Sequence, residues 1–151
     1  MLTEGENCWR IATAARAAFL IDGDAYFSAF RDVVARARHT VLILGWDIDT
    51  RTRLTRPGEG GHPGWTLLPF LNHALECRPE LRIYALAWDY SFIYTLEREP
   101  LPTLRFAREA HPRLSFRLDA AHPVWASHHQ KIVVVDDQLA FTGGLDLTIR
   151  R

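Results

Sequence analysis

The sequence has no net charge and only one lysine, and the absence of net charge narrows the classes of protein to which it can belong. A single lysine, Lys131, stands among 18 basic residues, and these balance 18 acidic ones. A neutral chain has no overall field that would draw it onto nucleic acid or an anionic membrane, so any site for a polyanion has to be local. The sequence also lacks the roughly 18 consecutive apolar residues of a membrane-spanning helix.

Cysteine is scarce as well. Cys8 and Cys77 have neither the spacing of a metal site nor the density of a disulfide framework, so we expect reduced thiols. Residues 1–7 are acidic, whereas a signal peptide begins with a basic segment followed by an apolar one, and we therefore predict a cytoplasmic protein. With 151 residues, of which 48% are hydrophobic and 24% charged, the chain fits one globular domain over residues 1–151.

Apolar runs alternate with helical spacing along the chain. The runs typical of strands are 16–21, 40–46, 81–87, 114–118, 127–135 and 139–142, the last two joined by a tight turn at 136–138. Helical spacing covers 25–38, with Asp24 as its predicted N-cap, 66–76, and a stretch within 91–111 that prolines divide into two short helices. The segment 57–64, rich in glycine and proline, is predicted to be a mobile surface loop. The pattern predicts an α/β fold with a mixed, largely parallel sheet flanked by helices.

Two of the predicted strands end in the same dipeptide, Trp46-Asp47 and Trp88-Asp89. Ligands of open α/β sheets bind at the carboxyl ends of the strands, so Trp46, Asp47 and Trp88 are candidate substrate-binding residues. The alternative is that each tryptophan packs a loop and each aspartate caps the next helix. The sequence leaves both interpretations open.

The segment 127–136 carries the chemistry. Residues two apart on a strand share a face, so His129 and Lys131 are predicted to project together. An imidazole changes charge near neutral pH, and a lysine beside it can hold a phosphoryl or carboxylate oxygen while the imidazole reacts. Downstream, Gly143 and Gly144 would let the backbone approach an anionic ligand closely.

These residues form a recognisable pattern. His129, Lys131 and Asp136 read HxKxxxxD, and the segment 143–146 follows with the sequence Gly-Gly-Leu-Asp. The combination resembles the signature of the phospholipase D superfamily. The resemblance covers nearly the whole chain, because three further segments look like the amino-terminal half of bacterial phospholipase D-like proteins: 20–23, 43–47 and 87–89. It implies one phospholipase D-like half-domain.

The resemblance also implies a mechanism, a two-step phosphodiester displacement through a covalent phosphohistidine, without a metal or other cofactor. His129 would be the nucleophile, or the acid and base partner of a nucleophile in another half-site, and Lys131 would hold a phosphate oxygen. Asp136, the third residue of the catalytic motif, is assigned a structural role, orienting a loop or pairing with a basic group. Asp146 joins the glycine pair as a substrate-binding candidate, although a carboxylate there would repel phosphate unless it orients the histidine.

The family builds its site from two such motifs, and this sequence has one. We therefore expect the amino-terminal half of a two-motif enzyme that acts on a phosphodiester, with phospholipid favoured over nucleic acid and with peripheral membrane contact. Two alternatives stay open. One is a single-motif phosphodiesterase or nuclease in which two copies of His129 meet in a homodimer. The other is a non-catalytic remnant that keeps the fold as a binding module.

Other polar residues receive simpler interpretations. His128 is predicted to be a buried hydrogen-bonding residue. A metal site at Asp47, Asp49 and His62 is disfavoured, because loop carboxylates are common. The basic cluster of Arg51, Arg53 and Arg56 is interpreted as a solvated loop rather than an anion site. The other histidines are interpreted as loop or helix-surface residues; they are His39, His62, His73, His111 and His122.

Overall fold

A five-stranded mixed sheet forms the centre of the protein. A computed structural model describes residues 1–55, 64–89, 99–123 and 126–149. Its elements are, in chain order, α1 (Asp22–Val34), β1 (Thr40–Gly45), α2 (Leu67–Cys77), β2 (Arg82–Trp88), α3 (Pro102–Glu109), β3 (Leu114–Asp119), β4 (Ile132–Val135) and β5 (Leu139–Thr142). The strands lie in the order β3-β2-β1-β4-β5. The predicted α/β class with a mixed sheet is confirmed.

The two halves of the sheet have different pairing. β1 pairs with β2 and β2 with β3 in parallel, whereas β4 runs antiparallel to β1, and β5 antiparallel to β4. Parallel and antiparallel pairings are therefore equal in number, so the sheet is less parallel than predicted. The antiparallel register places Leu44 opposite Ile132. Residues that follow β1 consequently meet residues that precede β4.

The core lies between the sheet and its helices. Alternate residues of β1 are buried, and Val41 and Ile43 are at most 2% exposed. Phe30 of α1 and Phe70 of α2 are also buried, with ring centroids 6.4 Å apart, so the two helices cover one continuous apolar cluster. None of the helices in the described residues is long and apolar enough to cross a membrane.

The first predicted strand is wrong. Residues 16–21 form no strand, and Phe19 and Ile21 are 99% and 80% exposed. A strand needs a partner for its backbone groups, and both neighbours of β1 are other strands. The helix begins at Asp22, two residues before the predicted N-cap Asp24, and Ile21 stands at the N-cap position. The Oδ1 of Asp22 accepts the N–H groups of Asp24 at 3.0 Å and Ala25 at 3.2 Å.

The predicted strand at 127–135 is shortened to β4. Because β1 ends at Gly45, opposite the beginning of β4, residues 126–131 have no strand to pair with and are irregular. Most of the predicted loop at 57–64 lies outside the described residues. The same holds for the first part of the helical region predicted at 91–111, of which α3 is described.

Asp136 fixes the turn between β4 and β5. Asp136 and Asp137 have positive φ values of 53° and 54°. The carboxylate of Asp136 accepts the backbone N–H groups of Arg38, His39 and Thr40, each at 2.8 Å. Burial alone would raise the pKa of Asp136, but these three donors outweigh it and lower the pKa below 3.8. The carboxylate thus ties the turn to the chain that enters β1.

Replacing Asp136 with alanine is expected to lower the free energy of unfolding by about 1–2 kcal/mol, as the loss of a helix N-cap does. Because folding lowers its pKa, the carboxylate contributes fully above its unfolded value of 3.8, and its contribution disappears as the pH falls through the folded pKa. Urea unfolding at neutral pH and along an acid series measures this. Asp137→Ala removes a side chain with nearly the same φ, so equal losses in the two variants would contradict the role given to the carboxylate.

Candidate functional site

Three segments distant in sequence meet at the carboxyl end of β1. They are the residues that follow β1, the residues that precede β4, and the residues after the glycine pair. Ile48 and Leu147 form an isolated parallel bridge, and the N–H of Asp49 donates to the carbonyl of Leu147 at 2.9 Å. The sheet topology therefore brings the motif and its downstream extension together at one edge.

A buried ion pair lies at the centre of this edge. The Nζ of Lys131 is 3.0 Å from the Oδ2 of Asp146, and the two side chains are 2% and 0% exposed. The Oδ1 of Asp146 accepts the backbone N–H of Trp46 at 2.9 Å. A Cβ at Gly45 would lie 3.3 Å from that oxygen, so the glycine is what allows the carboxylate to come so close. The structure thus gives Asp146 a contact other than the predicted substrate contact: it holds the ammonium group.

Tyr26 contributes to the same environment and was not singled out by its sequence pattern, which is that of an ordinary amphipathic helix. A small cleft is lined by Tyr26, Gly45, Lys131 and Asp146, among others. Burial, followed by the negative charge of Asp146, raises the pKa of Tyr26 to about 12. The phenol therefore stays protonated at neutral pH and adds no charge to the ion pair.

His129 lies on the surface beside the pair. Its ring makes an edge contact with Trp46, with centroids 5.9 Å apart, and its carbonyl oxygen is 3.5 Å from the Nζ of Lys131. His129 is exposed whereas Lys131 is buried. The predicted common face relied on strand alternation, which fails here because neither residue belongs to β4. Trp46 links the two instead, since its ring contacts the histidine and its N–H binds the partner of the lysine.

The sequence left open whether the residues of the two Trp-Asp dipeptides bind a ligand or only pack loops and cap helices, and their contacts differ from one residue to another. Trp46 stacks on Trp88 with centroids 5.6 Å apart and an interplanar angle of 17°. Trp88 is buried, at 8% exposure, and packs against Trp46. Trp46 is half-buried and also contacts His129. The Oδ2 of Asp47 accepts the hydroxyl of Thr148 at 2.7 Å, so this carboxylate helps to fasten the downstream segment.

The glycine pair is exposed and has no steric reason to be glycine within the described fold. A Cβ at Gly143 or Gly144 would meet no atom within 4 Å. Neither residue has a positive φ. The predicted close approach of a ligand to this backbone therefore remains a prediction, and packing in the described residues gives no competing reason for the glycines.

Asp136, the third residue of the motif, lies away from the other two. Its contacts are at the beginning of β1, next to Thr40, whereas His129 contacts Trp46 beyond the end of that strand. The structure thus brings His129 and Lys131 together and leaves Asp136 with the turn.

Only some residues of the disfavoured metal site and of the basic cluster lie in the described part of the chain. Asp49 accepts two side-chain hydrogen bonds from Arg51, at 2.9 and 2.7 Å. Within the described ranges, no three His, Cys, Asp or Glu side chains come together as metal ligands. Arg53 is exposed, and Arg56 and His62 lie outside the described residues.

His128 is half-buried and hydrogen-bonded, as its predicted role requires. Its Nδ1 is 3.0 Å from the Oδ2 of Asp119, and its Nε2 is 3.0 Å from the carbonyl oxygen of Gly45. The N–H of Ala121, followed by His128, lowers the pKa of Asp119 below 3.8. Asp119 gave no signal in the sequence, because a single aspartate after a strand is common.

Comparison with known proteins gives a consistent set of relatives, although no family model matches the chain. The chain is 32% identical to phospholipase D C of Dictyostelium discoideum over 87% of the chain's own length. Identity is 29% both to phospholipase D zeta 2 of Arabidopsis thaliana, over 90% of the chain, and to phospholipase D2 of Bos taurus, over 94%. The chain spans only 8%, 13% and 14% of these three proteins.

NucT from Helicobacter pylori is among the solved structures that are similar to the chain. The two match over 80% of this chain and 65% of NucT, with a TM-score of 0.49 and 12% identity.

Replacing Asp146 with asparagine is expected to lower the free energy of unfolding by about 3–5 kcal/mol, because it leaves a buried ammonium without its anion. Lys131→Met should cost a similar amount, and the double variant should lose much less than the sum. Urea unfolding of all four chains gives the coupling energy. Asp47→Asn, which changes a carboxylate that accepts a hydroxyl, is the matched control. Additive losses would show that the ion pair does not hold this edge together.

Proposed function

The chain belongs to the phospholipase D superfamily, and from that premise we propose that it is the amino-terminal, motif-bearing half of a phosphodiester hydrolase or transferase. The observation that carries the proposal is the exposed ring of His129 beside the buried pair of Lys131 and Asp146. An accessible nitrogen nucleophile next to a fixed cation is the arrangement that a phosphodiester displacement needs.

In the proposed reaction a ring nitrogen of His129 attacks phosphorus. A nitrogen–phosphorus bond forms and the bond from phosphorus to the leaving oxygen breaks. In the second step water or an alcohol displaces the histidine from phosphorus. A second motif would supply the acid that protonates a poor leaving group, either later in a two-motif chain or in a homodimer partner.

Lys131 stabilises the charge that develops on the phosphate. An ammonium group has three N–H donors. Within the described residues its Nζ is 3.0 Å from the Oδ2 of Asp146 and donates to the carbonyl of His129 at 3.5 Å, and a phosphate oxygen is proposed as a further acceptor. Asp146 fixes the ammonium group and balances its charge. A bound phosphodiester would bring a further negative charge to the pair.

A phospholipid is the proposed substrate, because the curated relatives are named phospholipase D. Peripheral contact with a membrane follows from a lipid substrate. The cytoplasmic location stays a prediction.

The first test uses a phosphodiester with a nitrophenolate leaving group, in excess chelator. Nitrophenolate needs no general acid, so His129 can react even where the second motif is missing. We expect release of nitrophenolate together with a phosphorylated protein that intact-mass spectrometry detects. Both should be absent from His129→Ala and unchanged in His111→Ala. Lys131→Met should slow the release roughly 100- to 1,000-fold, as the loss of one donor to a developing oxyanion does.

The dependence on protein concentration separates the alternatives. Release that rises faster than linearly and turns over would favour a homodimer that completes one site. A single stoichiometric burst would favour a half-site that waits for a second motif. A folded chain that forms no adduct at any concentration would refute the proposal and leave the non-catalytic remnant.

The glycine pair offers a second test. Because a Cβ at Gly143 or Gly144 meets no atom within 4 Å, alanine at either position should change the free energy of unfolding by no more than about 0.5 kcal/mol. If the backbone approaches the substrate here, the same variants should slow adduct formation. Gly45→Ala is the contrasting control, since its Cβ would lie 3.2 Å from Ile48 and should destabilise the fold. Unchanged adduct formation in both glycine variants would remove the pair from the site.

A further inference from the structure

The ring of His128 has an acceptor at each nitrogen. One is the carboxylate of Asp119 and the other is the carbonyl oxygen of Gly45, both at 3.0 Å. A carbonyl oxygen cannot donate, and a carboxylate whose pKa is lowered is ionised at neutral pH. A neutral imidazole carries one N–H, so it would leave one of these contacts between two acceptors. Both contacts are hydrogen bonds only when His128 is an imidazolium.

Another histidine of the same chain shows the opposite pattern. The Nδ1 of His111 accepts the backbone N–H of Arg113 at 3.1 Å, and therefore has to be unprotonated. The two rings consequently differ in the charge that their surroundings require. His111 lies before β3, apart from the proposed site, and serves as an internal reference.

His128 anchors an irregular segment of the chain. Residues 126–131 belong to no strand, and the ring of His128 joins this segment to the last residue of β1 and the last residue of β3. The next residue is His129, whose ring contacts Trp46 directly after β1. A change in the anchoring of His128 is therefore transmitted across one peptide bond to the proposed nucleophile.

Two titratable side chains of the described residues lie around His128. Asp119 faces it from β3, at 27% side-chain exposure. His122, from the segment after β3, lies near Asp119, and its two ring nitrogens are 3.0 and 3.1 Å from the carbonyl oxygens of Pro123 and Asp89. The carbonyl of Pro123 is the main cause that raises the pKa of His122.

Two further neighbours of His128 among the described residues add no net charge. β1 presents a backbone carbonyl, and the nearby pair of Lys131 and Asp146 is neutral overall. Both ring nitrogens of His122 also lie against carbonyl oxygens, so the same reasoning makes His122 an imidazolium, and Asp119 is the carboxylate that both rings approach.

We propose that His128 is a positioning residue, whose doubly protonated ring holds the segment bearing His129 against the ends of β1 and β3. Its importance for catalysis depends on the function proposed above, whereas its geometry does not. The two neighbouring histidines then have opposite requirements, because His129 has to be neutral to attack phosphorus and His128 has to be charged to hold it in place. As the pH rises, His128 loses a proton and one of its two hydrogen bonds, and His129 loses its fixed position.

The test is an NMR titration of the ¹⁵N-labelled chain between about pH 5 and about pH 8, where histidines change charge. Ring nitrogen shifts distinguish the imidazolium from the two neutral tautomers. We expect His128 to be an imidazolium at neutral pH and His111 to be the neutral tautomer protonated on Nε2. The ring signals of His129 should show two steps, one from its own titration and one with the midpoint of His128. No substrate is used, so the outcome is independent of the phosphodiesterase proposal.

Variants identify the source of the second step. His128→Gln can keep a donor toward Gly45, and His128→Asn can keep one toward Asp119, but neither can be charged. Both should abolish the second step of His129 and leave its own titration. Asp119→Asn keeps the volume, and should shift the midpoint of His128 and of the second step to lower pH together. His73→Gln, an exposed site on α2, should leave both steps unchanged.

A neutral tautomer of His128 at neutral pH would overturn the proposal. So would a His129 titration with a single step in the unaltered chain, or a second step that survives in His128→Gln. The first two of these results come from the unaltered chain, so they can overturn the proposal even if a variant fails to fold.

Discussion

A charged ammonium group lies under the site, and the surrounding chain is organised by the need to neutralise it. Lys131 is 2% exposed in its side chain, and an unpaired charge at that depth would cost several kcal/mol. Asp146 removes the cost, but only because Gly45 leaves room for it and the N–H of Trp46 holds its other oxygen. Three segments therefore have fixed relative positions, and the buried ion pair is the reason.

The sheet topology makes this convergence possible. In a purely parallel arrangement the strand next to β1 would end at the same edge as β1. Here β4 runs the other way, so its first residues lie beside the last residues of β1. The turn at Asp136 then returns β5 to that edge and delivers Asp146 there. The motif is therefore divided in space: its aspartate holds the remote turn, whereas its histidine and lysine lie at the carboxyl end of β1.

The extent to which this could be predicted differs between elements for physical reasons. Periodicity and short apolar runs predict β1, α2 and β5 to within about a residue, because they are local properties of the sequence. The apolar run at 16–21 and the strand extended back over 127–131 are misleading, since a strand also requires a free partner edge, and that is a property of the whole sheet. The contact between Lys131 and Asp146 could not be predicted from the sequence for a similar reason. Asp146 looked like a carboxylate facing phosphate, and its contact with the ammonium depends on how two distant loops cross.

The site also places two histidines with different surroundings in adjacent positions. Each ring nitrogen of His128 lies against an acceptor, and the side chain is 15% exposed beside a carboxylate. The ring of His129 is exposed and makes an edge contact with the indole of Trp46. The motif already separates the two residues in the sequence, but the partners of each ring are set by the way in which the strand ends meet. In the arrangement proposed for His128, these partners hold the segment that bears His129, while the ring of His129 stays accessible.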